Sequence, residues 1–344
     1  MKREALRRWL GVPLLALVVA ACTTTPAEPA STTAVSPLSS TTATTTTVPS
    51  TTSTTTLPPT TSTTVADPVE RTGSLVEAFS AAWDAKDPDV LSSMYADEVK
   101  SYDATEGGVP VNKAVIDSVL HGAYMQGRFD VALTSYFVSG DGRFAATLGT
   151  FSSQDDSGNL VPQPYASLLA FENDKIVWVY DYYGGALSET EQAEPMLGIP
   201  PSVIEPGSPE AQTAVAETTA TIQQWLAAYN ARDAGTFLSF YAEEARYVDV
   251  VSPDWRVMTK SDLAEDVASH FPRIEFESTL EPSFGSAMGS FFVSADGRFA
   301  ALQGSYKDAG MTIDRPMVVI LEFLAGEIVQ QYNFIAMDRA LLQP

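Results

Sequence analysis

Nearly everything past residue 70 is written twice, and this duplication constrains the fold more than any other feature of the chain. Ala82-Trp83-Asp84-Ala85-Lys86-Asp87 is answered by Ala228-Tyr229-Asn230-Ala231-Arg232-Asp233. Tyr95-Ala96-Asp97-Glu98 is answered by Tyr241-Ala242-Glu243-Glu244, and Asp103 by Asp249. The strongest match sets Phe137-Val138-Ser139-Gly140-Asp141-Gly142-Arg143-Phe144-Ala145-Ala146 against Phe292-Val293-Ser294-Ala295-Asp296-Gly297-Arg298-Phe299-Ala300-Ala301. A third block pairs residues 164–182 with 316–334, placing Tyr180 over Tyr332. The separation runs 146, then 155, then 152 residues, so insertions fall between blocks, where loops belong. Solenoid units repeat at about 20–50 residues, so a period this long specifies two copies of a whole domain. The expected domains are 72–187 and 209–344, joined by a proline-rich connector at 188–208.

Each copy opens with helical periodicity and ends with alternation. Leu75, Val76, Phe79, Ala82 and Trp83 form one apolar stripe at helical spacing. Asp87-Pro88 reads as an N-cap followed by proline in the first turn; Ser208-Pro209 and Asp233 supply matching starts in the second copy. Strands are expected at 99–103 and 245–250, and third helices near 113–124 and 261–271. Beyond these the period becomes two. Asp141-Gly142 and Asp296-Gly297 lie between apolar runs as hairpin turns, and Asn173-Asp174 and Ala325-Gly326 make second hairpins. Helices first and a strand meander afterwards is an α+β order.

The first residues read as an address. Lys2, Arg3, Arg7 and Arg8 precede an apolar run shorter than the roughly 20 residues that span a bilayer, and the run ends Val19-Ala20-Ala21-Cys22. This end resembles the lipobox of bacterial lipoproteins, which implies a signal peptide over 1–22, lipidation of Cys22 and anchoring to the membrane in the extracytoplasmic cell envelope. A plain secretory leader with an incidental Cys is the alternative, and Arg7-Arg8 leaves Sec and twin-arginine export both open. Of the 44 residues at 23–66, 20 are Thr, 7 Ser and 6 Pro, and Glu28 is the only charge. So little apolar surface cannot offset an ordering entropy of roughly 1–2 kcal/mol per residue, so 23–71 is expected to be a disordered Thr-rich linker, in composition like an O-glycosylated stalk.

Charge and cysteine content narrow the chemistry. With 20 Lys+Arg against 43 Asp+Glu the net charge is −23, which disfavours nucleic acid as a partner because phosphate neutralisation needs clustered cations. One Cys and two His cannot build a zinc cage, and no metal or other cofactor is expected. The chain contains no Gly-x-Ser-x-Gly, no Gly-rich phosphate cradle and no His-Glu-x-x-His.

In the first copy, an aromatic near the end of helix one is followed by Asp87, Leu91 and Tyr95-Ala96-Asp97-Glu98, then Asp103 on the first strand and Tyr180-Asp181 on the last. This pattern resembles SnoaL-like domains of the nuclear-transport-factor-2-like superfamily, and it covers both copies. The resemblance implies two tandem cone-shaped domains, each a curved antiparallel sheet packed on about three N-terminal helices around a pocket. It places Asp181 near the pocket mouth and Trp83 and Tyr229 at its border. Related cones often pair through their sheets, so the two domains are expected to pack as an internal pseudo-dimer.

The candidate catalytic residues are Asp103, His121 and Asp181. A carboxylate among apolar neighbours loses solvation, rises in pKa and can move protons near neutral pH. Trp83, Tyr124, Tyr229, Asp249, His270 and Asn333 are candidate ligand contacts. Asn333 replaces Asp181 in the second copy and cannot exchange a proton usefully. Each Asp also has a plainer reading as a strand-end residue bonded to backbone, and each His as a helix-end surface residue. Val177, Val179, Asp181 and Tyr183 share one strand face, and Ile176, Trp178, Tyr180 and Tyr182 the other. Both are apolar, so which one looks inward stays open. Two functions follow: non-catalytic binding of a small hydrophobic molecule or assembly, which the disagreement at Asn333 favours, or cofactor-free isomerase, cyclase or dehydratase chemistry.

Overall fold

The structure, a computed structural model, describes residues 67–103, 110–155, 157–184, 204–250, 256–271, 291–306 and 315–335. The leader, Cys22, the Thr-rich segment and nearly all of the connector lie outside the described residues.

Local capping chemistry starts each helix. Asp67 accepts from the Val69 N–H and Pro68 occupies the first turn, so α1 (Pro68–Asp84) begins four residues before the expected boundary at 72. The same Asp-Pro device opens α2 (Pro88–Met94), where Asp87 accepts from the Val90 N–H at 3.0 Å. Strand β1 (Tyr95–Asp103) follows without a loop. Asn112 caps α3 (Lys113–Val119), which runs into a π-helical turn, Leu120–Tyr124. The meander is β2 (Phe129–Val138), β3 (Phe144–Gln154), β4 (Leu160–Glu172) and β5 (Lys175–Tyr183). The second half repeats the order as α4 (Pro209–Ala231), α5 (Ala234–Ser239), β6 (Tyr241–Asp249), β7 (Arg256–Met258), α6 (Lys260–His270), β8 (Phe291–Val293), β9 (Phe299–Tyr306), β10 (Arg315–Leu324) and β11 (Glu327–Ile335).

The sheets are mixed, where the sequence leads one to expect antiparallel. The first has order β1-β5-β4-β3-β2 and the second β7-β6-β11-β10-β9-β8, with β1 parallel to β5 and β6 parallel to β11. The cause is topological. The helix after β1 carries the chain to the far edge, and a four-strand meander then returns β5 beside β1 running the same way. Register shifts in the β1–β5, β2–β3 and β4–β5 pairs mark bulges, which bend strands.

Each sheet packs one face on its helices. In the first half Val76, Phe79 and Trp83 of α1 join Leu91, Tyr95, Val131, Leu169 and Val179 in one buried cluster. Ile222, Trp225, Phe237, Leu263, Val319 and Leu321 do the same in the second. Burial of a side chain of this size stabilises by about 1.5–3 kcal/mol, so either stripe alone outweighs the few tenths contributed by propensity.

The opposite faces of the two sheets share a third cluster, in which Tyr102, Leu148, Leu168, Tyr180 and Tyr182 meet Val248, Phe299, Val318, Ile320 and Phe334. Hairpin tips from the two halves join it. Ser139 bridges Ser294, the Gly140 N–H donates to Val293 O at 3.3 Å, and the Ala295 N–H donates to Val138 O at 2.9 Å. Gly140 corresponds to Ala295 and Val138 to Val293, so the two bonds are reciprocal, as in a two-fold contact. Each hairpin is also clasped by its own first helix: Thr72 donates to Gly142 O, and Thr218 donates to Gly297 O at 2.6 Å.

Candidate active site

Strand register assembles one polar row across the first sheet. Asp103 pairs with Asp181, Asp181 with Ser167, Ser167 with Thr147, and Thr147 with Tyr136. Paired residues on neighbouring strands project from one face. Val179, which shares that face with Asp181, packs with Val76 and Phe79 of α1, so the row looks toward the helices. This settles the orientation that the sequence leaves open, with one correction. Ile176, Val179, Asp181 and Tyr183 face the helices, while Trp178, Tyr180 and Tyr182 face the other half of the chain. A bulge at Val177 breaks the strict alternation, so that Val177 packs on that second side and Ile176 on the first.

Asp181 is the centre of the row. Tyr165 donates its hydroxyl to Asp181 Oδ1 at 2.5 Å. Burial pushes the Asp181 carboxyl up to about 7, and the nearby Asp103 charge adds to the rise, while the Tyr165 bond and the Ser167 hydroxyl hold it down. The Tyr165 phenol is driven well above its ordinary value by burial and then by Asp181. Asp181 is enclosed by protein yet keeps some accessible surface. Ser167 is 1% exposed, and its hydroxyl lies near Asp181 and Tyr165 without meeting hydrogen-bond geometry to any group among the described residues. Rings wall this corner. Tyr183 meets Phe151 edge-on at 4.7 Å between centroids and lies 5.4 Å from Tyr165, and Phe151 stacks on Phe129 at 5.6 Å.

The other candidates of the first half lie elsewhere. His121 is exposed on the π-helical turn, its Nε2 3.6 Å from Asp89 Oδ1, and it does not join the carboxylate pair. Its position near a helix end favours the surface reading. Trp83 and Tyr124 are core: their rings meet at 4.9 Å, the Tyr124 hydroxyl donates to Trp83 O at 2.5 Å, and burial pushes that phenol up to about 12. Both border the aromatic wall through Phe129.

The corresponding row of the second sheet reads Asp249, Asn333, Val319, Leu302, Phe291. Asn333 is 4% exposed and belongs to a continuous chain of neutral hydrogen bonds. Trp225 Nε1 donates to the Tyr241 hydroxyl at 3.0 Å, Tyr241 to Gln331 Oε1, Gln331 Nε2 to Asn333 Oδ1 at 2.8 Å, and Asn333 Nδ2 to the Tyr247 hydroxyl. The first half has Phe79, Val179 and Ser101 where this chain has Trp225, Gln331 and Tyr247, so the run has no counterpart there among the described residues. Tyr229 packs on Trp225, Phe237 and Phe271 with centroids 5.1–5.8 Å away. His270 ends α6, and its side chain lies outside the described residues. Lipidation at Cys22 likewise falls outside them.

Tyr165, Ser167 and Thr147 are the residues that sequence reasoning passes over. The signal was present in the duplication, because the second copy carries Met317, Val319 and Leu302 at those positions. Three polar-to-apolar differences on one face of two neighbouring strands mark where the first copy keeps polar groups that packing alone does not require.

A search of curated proteins finds no match to this sequence. Residues 76–179 match the family model of the SnoaL-like domain. Among solved structures, the chain is similar to an NTF2-like protein of unknown function from Burkholderia pseudomallei, at 15% identity over 33% of this chain and 90% of that one, with a TM-score of 0.29. It is also similar to a hypothetical protein with a ketosteroid isomerase-like fold from Catenulispora acidiphila, at 20% identity over 32% and 84%, with a TM-score of 0.27. Bal32a, from a soil-derived mobile gene cassette, matches at 15% identity over 34% and 91%, with a TM-score of 0.30. The stretch that matches the SnoaL-like family model, residues 76–179, thus spans most of the helices and the mixed sheet of the first half.

Proposed function

We propose that the first half holds a small, mainly apolar molecule against Asp181 and exchanges a proton with it, without a cofactor. The supporting observation is the carboxyl itself: at about 7, Asp181 is half protonated at neutral pH, so it can both take and return a proton. Tyr165 steadies the ionised form, and the Ser167 hydroxyl lies close enough to help hold the carboxyl pKa down. This arrangement suits isomerase, cyclase or dehydratase chemistry next to a carbonyl. Asp103 and Asp181 together repel anions, so the ligand is uncharged or cationic.

The second half is a SnoaL-like relative turned to assembly. Its neutral chain through Gln331 and Asn333 fills the equivalent space, and its outer sheet face covers that of the first half as an internal pseudo-dimer. The leader, Cys22 and the Thr-rich segment support display of this pair on a lipid-anchored tether outside the cytoplasm.

Native mass spectrometry of the protein purified from its own host tests the proposal. A small molecule should travel with the wild type and with His121→Ala at equal occupancy, and its mass or isotope-exchange pattern should change in Asp181→Asn. Equal behaviour of Asp181→Asn and wild type toward that molecule would refute the assignment.

A further inference from the structure

We propose that the second half of the chain is a positioning element for the Asp181 site, acting through the seat of Val250 on Gly184. The inference rests on the reading of Asp181 as the working carboxyl. Gly184 follows Tyr183 at the end of β5, and its N–H donates to Pro164 O at 2.8 Å, tying β5 to β4 one residue before Tyr165. A methyl group on Gly184 would lie 2.4 Å from Val250 Cγ1, 2.8 Å from Val250 O and 2.9 Å from Pro164 Cγ. The space above Gly184 is therefore filled by the other half of the chain, and two of those three contacts are inter-half.

Val250 is held firmly enough to serve as a seat. Its N–H donates to Asn333 O at 3.0 Å, and it is 1% exposed within the cluster shared by the two sheets. The end of β5 is thus clamped between Pro164 of its own sheet and Val250 of the opposite one. Two rings flank the clamp: Tyr183 precedes Gly184 and Tyr165 follows Pro164. They lie 5.4 Å apart, and Tyr165 holds the Asp181 carboxyl. A displacement at Gly184 therefore reaches Asp181 through one ring and one hydrogen bond. Gly184 and Val250 touch neither the reacting carboxyl nor its donor, so they are positioning residues.

The test is an NMR titration of the Asp181 carboxyl in the full chain. Gly184→Ala should open the corner to water and lower the Asp181 midpoint by about one pH unit toward the ordinary carboxylate range. Val250→Ala in that background removes the nearest clash and should restore part of the difference. Gly122→Ala, whose added methyl meets nothing within 4 Å, should leave the midpoint unchanged. Should Gly184→Ala fail to fold, Val250→Ala alone reads the same coupling as a smaller shift in the same direction. A wild-type midpoint in the ordinary carboxylate range would refute the reading of Asp181 itself. A wild-type midpoint near 7 that neither Gly184→Ala nor Val250→Ala moves would overturn the positioning role alone.

Discussion

Replacing Asp181 with Asn should make the protein more stable at alkaline pH and remove its proton-transfer capacity in the same step. The carboxyl sits at about 7 in the folded chain against an ordinary 3.8, so the folded state binds that proton more tightly than the unfolded state does. Between those two values the unfolded chain carries fewer protons, and stability falls as pH rises, levelling off once pH exceeds the folded value. At about 1.4 kcal/mol per pH unit the penalty has a ceiling of about 4 kcal/mol, and about half that once the partial solvent contact of Asp181 is allowed for. Asn carries no such penalty, can still accept from Tyr165, and already occupies the matching position of the second sheet as Asn333. Urea unfolding of both proteins at pH 4 and pH 8 measures the effect, because titration of groups not coupled to Asp181 cancels in the difference. The gap between Asp181→Asn and wild type should widen in favour of the variant by about 2–4 kcal/mol from the lower to the higher pH. A gap that stays constant across that range would show that Asp181 titrates alike in both states, and the site argument would fall with it.

Two neighbours of Asp181 should move its titration in opposite directions. Tyr165→Phe removes the donor that holds the carboxyl down and should raise its midpoint, whereas Asp103→Asn removes a nearby like charge and should lower it, both readable by carboxyl NMR. The hairpin glycines should be intolerant of change in both halves. Gly142 and Gly297 have φ of 69° and 76°, and an added Cβ would lie 2.5 Å from backbone atoms of Pro68 and Ala214 respectively. Either glycine changed to Ala should cost about 2 kcal/mol or more in denaturant unfolding, and a cost under 0.5 kcal/mol would contradict the close approach.

The order of elements was legible because the duplication let each half check the other, and because Asp87-Pro88, Asp141-Gly142 and Asn173-Asp174 act through local geometry. Asp67-Pro68 carries the same start signal as Asp87-Pro88, but it adjoins the Thr-rich segment, whose composition masks it. The inward face of β5 was not legible for a physical reason: one face lies on α1 and the other on the second sheet, so both are buried and both read as apolar. Parallel pairing of β1 with β5 is a matter of non-local register, which no spacing within either strand encodes. The same register brings Asp103, Asp181 and Ser167 together, so the site was half visible. Its two aspartates stand out from their strand patterns, whereas the phenol and hydroxyl beside them show only as a difference between the copies, Tyr165 and Ser167 against Met317 and Val319.

The reciprocal bonds at Gly140–Val293 and Ala295–Val138 have a consequence for how such a molecule changes over time. When two identical chains meet across a two-fold axis, every substitution is made in both partners at once, so neither can surrender a useful group without the other losing it. Here the two surfaces are encoded separately and held at a permanent local concentration by one backbone. Each is therefore free to alter alone: one can exchange its acid and hydroxyls for Asn333, Val319 and Leu302 while the other keeps them, and the union survives the divorce of their roles.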